Sequence, residues 1–279
     1  MNTRYYKKKI QYLIMRHIFP INSRELKASR EGPKVFANSF PKAGTNLLKQ
    51  MLNQIPCIAP RWTYAIDNSI PGYFKQLYYV KKGQVVTAHM YRSQELVDFL
   101  YGNGFRILFI IRDLRDIATS NAFYITYIDK PHRLHSYFTS LPNDSERLMA
   151  SIIGIDGRLL KDGSRSKSIG EHAEAYLPWL DDPNCLTIRF EDLIGSSGGG
   201  RDKRQIDTVN SVLKHIDIKL SESEIKELVT KIFFSGSRTF RKGKIGDWKN
   251  HFTEEHKRVF KEVAGKALIK LGYENGYDW

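Results

Sequence analysis

Three short segments of the chain combine residue types that bind anions with residue types that can transfer protons or stabilise charge. The first is NSFPKAGTNLLKQML, residues 38–52, where an apolar strand, a turn with Lys42 and Gly44, and a helical pattern follow one another. A helix that begins after such a turn points unpaired N–H groups and the positive end of its dipole at the turn. The layout indicates either a phosphate-binding loop or a simple helix cap. The lysine precedes the glycine, so the usual P-loop signature is absent.

The second segment is RILFIIRDLRDIATSNAFY, residues 106–124, in which a buried-strand pattern ends at Arg112 and a helix begins at once. Ser120 lies about two turns along that helix. An arginine at the end of a strand can bind a phosphate through two parallel hydrogen bonds, and a serine hydroxyl can join it. The alternative is that Arg112 pairs with Asp113 or Asp116 and that Ser120 only packs.

The third segment is TFRKGKIGDWKNHF, residues 239–252, which holds three cations and two glycines within six residues. That composition favours an anion-binding loop over a core segment. A solvated basic loop and a nucleic-acid contact are the alternatives. The chain shows no helix-turn-helix, zinc-finger or RNP signature, so we expect no nucleic-acid partner.

Length and composition predict one large α/β domain with its own core. The chain has 279 residues, 41% of them hydrophobic, and a net charge of +14 that favours anionic partners. The two cysteines, Cys57 and Cys185, form no disulfide framework or metal-ligand spacing, which indicates a reducing, cytoplasmic location. No apolar run approaches the ~18 residues of a transmembrane span.

Strand and helix patterns alternate along the chain, which predicts a parallel sheet covered by helices on both faces. The predicted strands are Val35–Phe40, Gln84–Ala88, Arg106–Ile111 and Cys185–Phe190. The predicted helices are Thr45–Gln54, Ser93–Tyr101, Leu114–Tyr127, Gly170–Leu180, Gln205–His215, Ser221–Phe233 and Glu254–Leu271. Ligands of such sheets bind beyond the carboxyl ends of the strands. The glycine-rich stretch Gly195–Gly200 is interpreted as a flexible loop.

Taken together and in this order, the three segments resemble the sulfotransferase family that uses 3′-phosphoadenosine 5′-phosphosulfate (PAPS), especially its cytosolic-type branch. SFPKAGT resembles the family's 5′-phosphosulfate loop, IIRDLRDIATS its 3′-phosphate element, and RKGKIGDWKNHFT its carboxyl-terminal motif. The resemblance spans about residues 33 to 260 and looks closest to a bacterial branch. It implies a P-loop-like parallel sheet in a single domain, residues 31–279, with PAPS as co-substrate and no metal.

The resemblance also implies roles for individual residues. His89, which ends the VVTAHM strand, would be the general base, and Lys42 would stabilise the leaving bisphosphate. An imidazole titrates near neutrality and can take a proton from an acceptor hydroxyl; alone, His89 would read as a strand-end cap. Ser120 would also restrain Lys42. The full set expected to bind the donor is Lys42, Ala43, Gly44, Thr45, Asn46, Leu47, Arg112, Ser120, Thr239, Phe240, Arg241, Lys242 and Gly243.

The chain departs from the family pattern mainly around the adenine. Leu47 stands where the family often has a tryptophan that stacks on the base, and Phe190 replaces a tyrosine. Thr87 replaces a lysine two residues before the histidine, and Ala43 a serine of the loop. Phe240 is the aromatic substitute that we expect near the base.

The acceptor is a hydroxyl compound, and a carbohydrate, a glycolipid and a small alcohol remain open. Aromatic side chains that stack on sugars or line an apolar pocket are candidates for binding it, although they may equally be core. They are Trp62, Tyr64, Tyr73, Phe74, Tyr78, Tyr79, Phe123, Tyr124, Tyr127, Tyr137 and Phe138. A P-loop kinase and a non-catalytic basic glycan- or nucleic-acid-binding module are the alternative functions.

Residues 1–30 are interpreted as a basic amphipathic extension. Apolar residues recur with helical spacing from Tyr6 to Ile18, and Lys7, Lys8, Lys9 and Arg16 cover the remaining face. Such a helix either docks on the catalytic domain or lies on an anionic membrane. Docking is favoured, and peripheral membrane contact through residues 1–24 is the alternative.

Overall fold

The strands of this protein form a single parallel sheet. The computed structural model describes residue 20 and residues 22–60, 63–233 and 243–279. The strands are β1 (Lys34–Ser39), β2 (Thr63–Asp67), β3 (Val85–His89), β4 (Phe105–Ile111) and β5 (Cys185–Arg189). All neighbouring pairs are parallel, in the order β2-β3-β1-β4-β5. The predicted α/β class with a parallel sheet is confirmed.

Helices connect the strands and cover the sheet. They are α1 (Ser23–Glu31), α2 (Thr45–Gln54), α3 (Tyr73–Tyr78), α4 (Gln94–Gly102), α5 (Leu114–Tyr127), α6 (His135–Ser140), α7 (Asp144–Ile153), α8 (Ile169–Tyr176), α9 (Phe190–Leu193), α10 (Asp202–His215), α11 (Glu222–Thr230) and α12 (Glu254–Lys270). Short 3₁₀ turns lie at Gly157–Leu159, Leu177–Trp179, Ser196–Gly198 and Asp247–Asn250.

The central strand β1 shows why both faces are covered. Successive side chains of a strand point to opposite faces. Val35 and Ala37 therefore pack with Leu48 and the rest of the apolar side of α2. Phe36 points the other way and lies 6.1 Å, between ring centroids, from the fully buried Trp179. Since each face is buried, the strand carries consecutive apolar residues, Val35, Phe36 and Ala37, instead of an alternating pattern.

The predicted strands and longer helices agree with the structure to within a few residues. The missed strands and α-helices are β2, α1, α3, α6, α7 and the four-residue α9, whose first residue, Phe190, was placed in the last predicted strand. Strand β2 lies at the sheet edge, and only Tyr64 and Ile66 of its five residues are buried, so it lacks the apolar run of the inner strands. Helices α3 and α6 have six residues each, too short for a helical period to be recognised.

The first described helix, α1, packs against the rest of the domain. Arg24 donates from Nη2 to the carbonyl oxygens of Asn53 (2.6 Å) and Ile55 (3.1 Å), where α2 ends. Ala28 is fully buried. Residues 1–19 and 21 lie outside the described residues, so the boundary at residue 30, the amphipathic helix, its membrane contact and the cellular location stay predictions. No described helix is long and apolar enough to cross a membrane.

The glycine-rich stretch after α9 is a packed turn, so its interpretation as a flexible loop is wrong. Gly198 is buried, and its carbonyl oxygen accepts a hydrogen bond from the N–H of Ile245 at 3.3 Å. A Cβ atom on Gly198 would lie 2.9 Å from the carbonyl oxygen of Gly243. Glycine is therefore required here because two backbone segments approach each other closely.

Candidate active site

The register of the sheet brings the candidate segments to one edge. Ser39 at the end of β1 pairs with Ile110 of β4, while His89 ends β3 and Ile111 pairs with Arg189 of β5. A cleft of about 630 Å³ opens at this edge, within the size range of small-molecule sites. Its walls are formed by Pro41, Lys42, Gly44, Thr45, Asn46, Leu47, Lys49, Gln50, Asn53, Thr87, His89, Arg112, Ser120, Tyr124, Phe190, Ile194, Ile232, Phe233, Gly243 and Lys244.

The turn between β1 and α2 has a backbone that few residues adopt. Gly44 has φ of 108° and Lys42 has φ of 70°. A Cβ atom on Gly44 would lie 2.6 Å from Cδ2 of Phe190, so the position excludes a side chain for two independent reasons. With Gly44 as its N-cap, α2 starts at Thr45 on the wall of the cleft, where the first N–H groups of a helix bind anions.

Residues 43–47 do not all reach the cleft. Thr45, Asn46 and Leu47 line it, and the hydroxyl of Thr45 lies 2.6 Å from that of Ser39. Ala43 is fully buried in the core, and its N–H donates to the carbonyl oxygen of Phe40 at 3.0 Å. The side chain of Ala43 packs in the core and its N–H is hydrogen-bonded to Phe40, so Ala43 does not line the cleft.

Lys42 extends along the wall towards α5. Its Nζ lies 3.3 Å from the centroid of the Tyr124 ring, in the position of a cation–π contact. Ser120 lies one turn earlier on α5, is 8% exposed and lines the same cleft. Tyr124 thus holds the lysine beside the serine that was expected to restrain it.

His89 lies at the opposite side of the turn from α5. Its Nδ1 is 2.9 Å from the carbonyl oxygen of Ser39 and 3.1 Å from the Ser39 hydroxyl. Because a carbonyl oxygen only accepts, the neutral ring carries its proton on Nδ1 and its lone pair on Nε2. The amide of Asn68 donates to the His89 carbonyl oxygen at 2.9 Å. The ring is therefore held in the tautomer that can accept a proton at Nε2.

Arg112 is buried at the end of β4 and partly satisfied by the protein. Its Nη2 donates to the carbonyl oxygen of Lys244 at 2.8 Å and pairs with Asp116 at 3.4 Å. The guanidinium carbon lies 4.2 Å from the centroid of the Phe190 ring. Nε is buried and has no hydrogen-bond partner among the described residues. Arg112 thus pairs with Asp116 and also lines the cleft, and its binding of a phosphate stays a prediction.

Asp116 fixes the third segment against Arg112. Its two carboxylate oxygens accept the N–H groups of Gly246 (2.9 Å) and Trp248 (3.0 Å). Burial raises the pKa of this carboxyl above its ordinary value, against the opposing effect of Arg112. Gly243 and Lys244 line the cleft. Thr239, Phe240, Arg241 and Lys242 lie outside the described residues, so their donor contacts stay predictions.

Several wall residues were missed by the sequence reasoning. On α2 they are Lys49, Gln50 and Asn53, which follow Asn46 at helical spacing, and this period was the signal that could have found them. Of the aromatic acceptor candidates that the structure describes, Tyr124 lines the cleft, Tyr64 and Phe138 are buried, and Tyr78 is 65% exposed. Trp62 lies outside the described residues.

Comparison of the sequence with known proteins gives a consistent result. A family profile described as "Sulfotransferase domain" matches residues 32–272. Sulfotransferase 2A1 of Rattus norvegicus is 26% identical over 255 residues, with 82% of each chain covered. The 3-alpha-hydroxysteroid sulfotransferase of Cavia porcellus is 25% identical over 257 residues, also with 82% of each chain covered.

Solved structures share the fold. Mouse sulfotransferase SULT7A1, crystallised with PAP, superposes with a TM-score of 0.59 at 20% identity, covering 87% of this chain and 89% of that one. Retinol dehydratase, crystallised with androsterone and the inactive cofactor PAP, gives a TM-score of 0.55 at 16% identity, covering 96% of this chain and 86% of that one.

Proposed function

Because this chain belongs to the sulfotransferase domain family, we propose that it moves the sulfuryl group of PAPS to a hydroxyl group of a small acceptor, with His89 as the general base. The observation that carries the proposal is the shared cleft. In it the start of α2, Arg112 and His89 come from the ends of three neighbouring parallel strands. The bacterial branch stays a prediction, because the relatives above are mammalian.

The cleft has the donors that a nucleotide with two separated phosphates requires. The first N–H groups of α2 and the cation of Lys42 serve the 5′-phosphosulfate. Arg112, with its unpartnered Nε, and Ser120 serve the 3′-phosphate from the other side. A buried donor without a partner is unfavourable in the free protein, so a phosphate oxygen that accepts from it gains affinity. Selectivity for a 3′-phosphate then follows from Arg112.

The transfer is an in-line displacement at sulfur. The acceptor oxygen attacks sulfur while its proton passes to Nε2 of His89, and the bond between sulfur and the bridging phosphate oxygen breaks. Lys42 stabilises the negative charge that develops on that bridging oxygen, and adenosine 3′,5′-bisphosphate leaves. As in phosphoryl transfer, positioning and charge stabilisation supply most of the catalysis.

The similar proteins favour a largely apolar alcohol as the acceptor, which would enter the side of the cleft beside His89. Thr87, His89 and Tyr124 line this side, and the Tyr124 ring is shared with Lys42. The relatives include a 3-alpha-hydroxysteroid sulfotransferase, and retinol dehydratase was crystallised with androsterone. Among carbohydrates, glycolipids and small alcohols, a hydroxysteroid-like alcohol is therefore the first class to test.

Calorimetry tests the nucleotide assignment. We expect adenosine 3′,5′-bisphosphate to bind at least about tenfold more tightly than adenosine 5′-monophosphate, because charge-assisted bonds to a second phosphate are added. Arg112→Ala should remove most of this preference. Arg106→Ala, at the exposed opposite end of β4, is the matched control and should keep it. Equal affinity of the wild-type protein for both nucleotides would contradict the assignment.

A transfer assay tests the reaction itself. Wild-type protein is incubated with radiolabelled PAPS and panels of hydroxysteroids, simple alcohols, sugars and glycolipids, and label in each acceptor is measured. We expect transfer to the first two panels. ATP is the control donor, since phosphoryl transfer from it would support a kinase instead. Nucleotide binding without transfer to any acceptor would support a binding module.

A further inference from the structure

One wall of the cleft is built by residues that the phosphate sites and the general base do not use. On α2, Asn46, Lys49, Gln50 and Asn53 all line the cleft, and each lies three or four residues from another member of this set. The other side of α2 carries Leu48, Met51 and Leu52, which are fully buried. The polar stripe therefore faces the cleft because the apolar stripe is held by the core.

This wall extends well beyond the phosphate loop. Asn53 lies nine residues after Gly44, and a helix rises 1.5 Å per residue, so the wall continues for about 13 Å past the start of α2. Leu47, Ile194 and Ile232 line the same cleft. Apolar side chains beside a polar helix stripe suit a flat heteroaromatic ring, which has apolar faces and a polar edge.

The polar groups on this wall are not fully paired within the protein. Oδ1 of Asn53 is buried, and within the described part of the chain it has no hydrogen-bond partner. Lys49 is half-buried, burial lowers its pKa, and no carboxylate of the described residues pairs with it. Gln50 donates from Nε2 to the carbonyl oxygen of Lys231 at 3.4 Å, which ties the stripe to the end of α11. A buried amide oxygen without a donor is costly unless a ligand supplies one.

From these observations we infer that Asn53 reads the edge of the purine base of the donor and makes the site selective for adenine. The inference rests on the proposed function and adds to it the residue that takes over base recognition where Leu47 offers no ring for stacking. An asparagine amide pairs with adenine because its oxygen accepts from the 6-amino group while its NH₂ donates to a ring nitrogen. Hypoxanthine carries an acceptor at position 6, so it would leave Oδ1 without a donor.

Titration of nucleotides tests the inference. Dissociation constants are measured for adenosine, inosine and purine-riboside 3′,5′-bisphosphates and for adenosine 5′-monophosphate. We expect the wild-type protein to prefer the adenine bisphosphate over the other two bases by about tenfold or more. Asn53→Ala should reduce that preference to near unity and keep the preference for the 3′-phosphate. Gln54→Ala, the next residue of α2 and not part of the wall, is the matched control and should keep both preferences.

The outcomes separate this inference from the proposed function. No preference for the bisphosphate over the monophosphate in the wild-type protein would overturn the proposed function. A 3′-phosphate preference without base preference, or base preference that survives Asn53→Ala, would overturn the role of Asn53 alone. Asn53→Leu, which is close in volume, serves as a second variant if Asn53→Ala fails to fold. A wild-type protein that binds the three bases equally would overturn the role of Asn53 without any variant.

Discussion

The two anion-binding sides of the cleft are built in different ways. The side around Lys42 is local, since residues 39–46 form a strand end, a turn and a helix start, with positive φ at Lys42 and Gly44. The side around Arg112 is assembled across the chain, since Arg112 and Asp116 bind the backbone of residues 244–248 about 130 positions away. The first side depends on backbone conformation, and the second depends on buried charge.

The charge-dependent side extends to the end of the chain. Arg115 pairs with Asp113 at 2.7 Å and with Glu274 at 2.7 Å. Its guanidinium carbon lies 4.1 Å from the ring centroid of Trp248 and 4.5 Å from that of Trp279. Trp248 also donates its N–H to Asp116, so the carboxyl-terminal residues support the same segment that Arg112 contacts. Damage to this side should therefore affect folding as well as binding.

The largest expected effect separates chemistry from folding at His89, whose ring contacts Ser39 of the local side. His89→Ala should lower the rate of sulfuryl transfer by about 10²–10⁴-fold, the range for removal of a general base. Affinity for adenosine 3′,5′-bisphosphate should stay within about twofold, since the imidazole acts on the acceptor. Single-turnover rates and calorimetry on the same preparation measure both quantities.

The control for His89 is His135, which makes a similar bond from Nδ1 to the carbonyl oxygen of Ile125 at 2.8 Å but does not line the cleft. His135→Ala should keep transfer near the wild-type rate. If His89→Ala turns over at nearly the wild-type rate, another residue is the base and the role given to His89 is wrong.

The second prediction concerns the charge-dependent side. Asp116→Ala should lower the free energy of unfolding by about 3–5 kcal/mol, because it leaves Arg112 and two backbone N–H groups without their buried partner. It should also weaken the preference for a 3′-phosphate, since residues 244–248 lose their anchor. Chemical denaturation and nucleotide calorimetry measure the two effects.

Asp181→Ala is the matched control, because Asp181 pairs with Lys270 at 3.0 Å while its side chain is 69% exposed. An exposed ion pair contributes about 0–1 kcal/mol, so this variant should remain close to the wild-type protein. Similar losses of unfolding free energy in the two variants would mean that burial of Asp116 does not increase its contribution to stability.

The same contrast explains what the sequence could predict. The turn with Lys42 and Gly44, and the strand that ends at Arg112, lie within continuous segments, so residue types and spacing were enough to identify them. The contacts of Asp116 with Gly246 and Trp248 join distant segments and leave no local pattern. Phe190 on Arg112 is a second example, since its position follows from the pairing of β4 with β5. Edge strand β2 was missed because few of its residues are buried.

The third prediction concerns the backbone conformation of the local side at Gly44. Gly44→Ala should cost about 2–3 kcal/mol of stability or more, because φ of 108° is unfavourable for alanine and the Cβ atom would lie 2.6 Å from Phe190. Nucleotide affinity should fall with it, since the start of α2 must move.

Gly72→Ala is the matched control, because Gly72 has φ of 70° with nothing within 4 Å of an added Cβ atom. Gly72→Ala should lower the free energy of unfolding only by the contribution of the unfavourable backbone conformation, about 1–2 kcal/mol. Equal losses of stability in the two variants would show that the Phe190 side chain moves aside without an energetic penalty.

The smallest expected effect is a pH dependence on the charge-dependent side. Glu191 accepts hydrogen bonds from the N–H of Asp113 (3.1 Å) and the hydroxyl of Tyr273 (2.7 Å), and burial raises its pKa above the ordinary value of 4.5. The folded protein therefore binds this proton more tightly than the unfolded chain. The stability that the protonated carboxyl contributes is present at low pH and is lost as pH rises through the folded pKa.

The Glu191→Gln variant keeps the shape of the side chain but has no carboxyl group that titrates. Its free energy of unfolding relative to the wild-type protein should therefore increase as pH rises above 4.5. Denaturation of both proteins between pH 4.5 and 8 measures this difference. Glu254→Gln is the control of opposite sign, because the bonds of Lys257 lower the pKa of Glu254. Relative to the wild-type protein, that variant should lose stability as pH rises through the folded pKa of Glu254 towards 4.5, so this control is measured below pH 4.5. If Glu191→Gln also loses relative stability with rising pH, the charged carboxylate is favoured, and the hydrogen bonds from Tyr273 and Asp113 together with the charge of Arg112 outweigh the cost of burial.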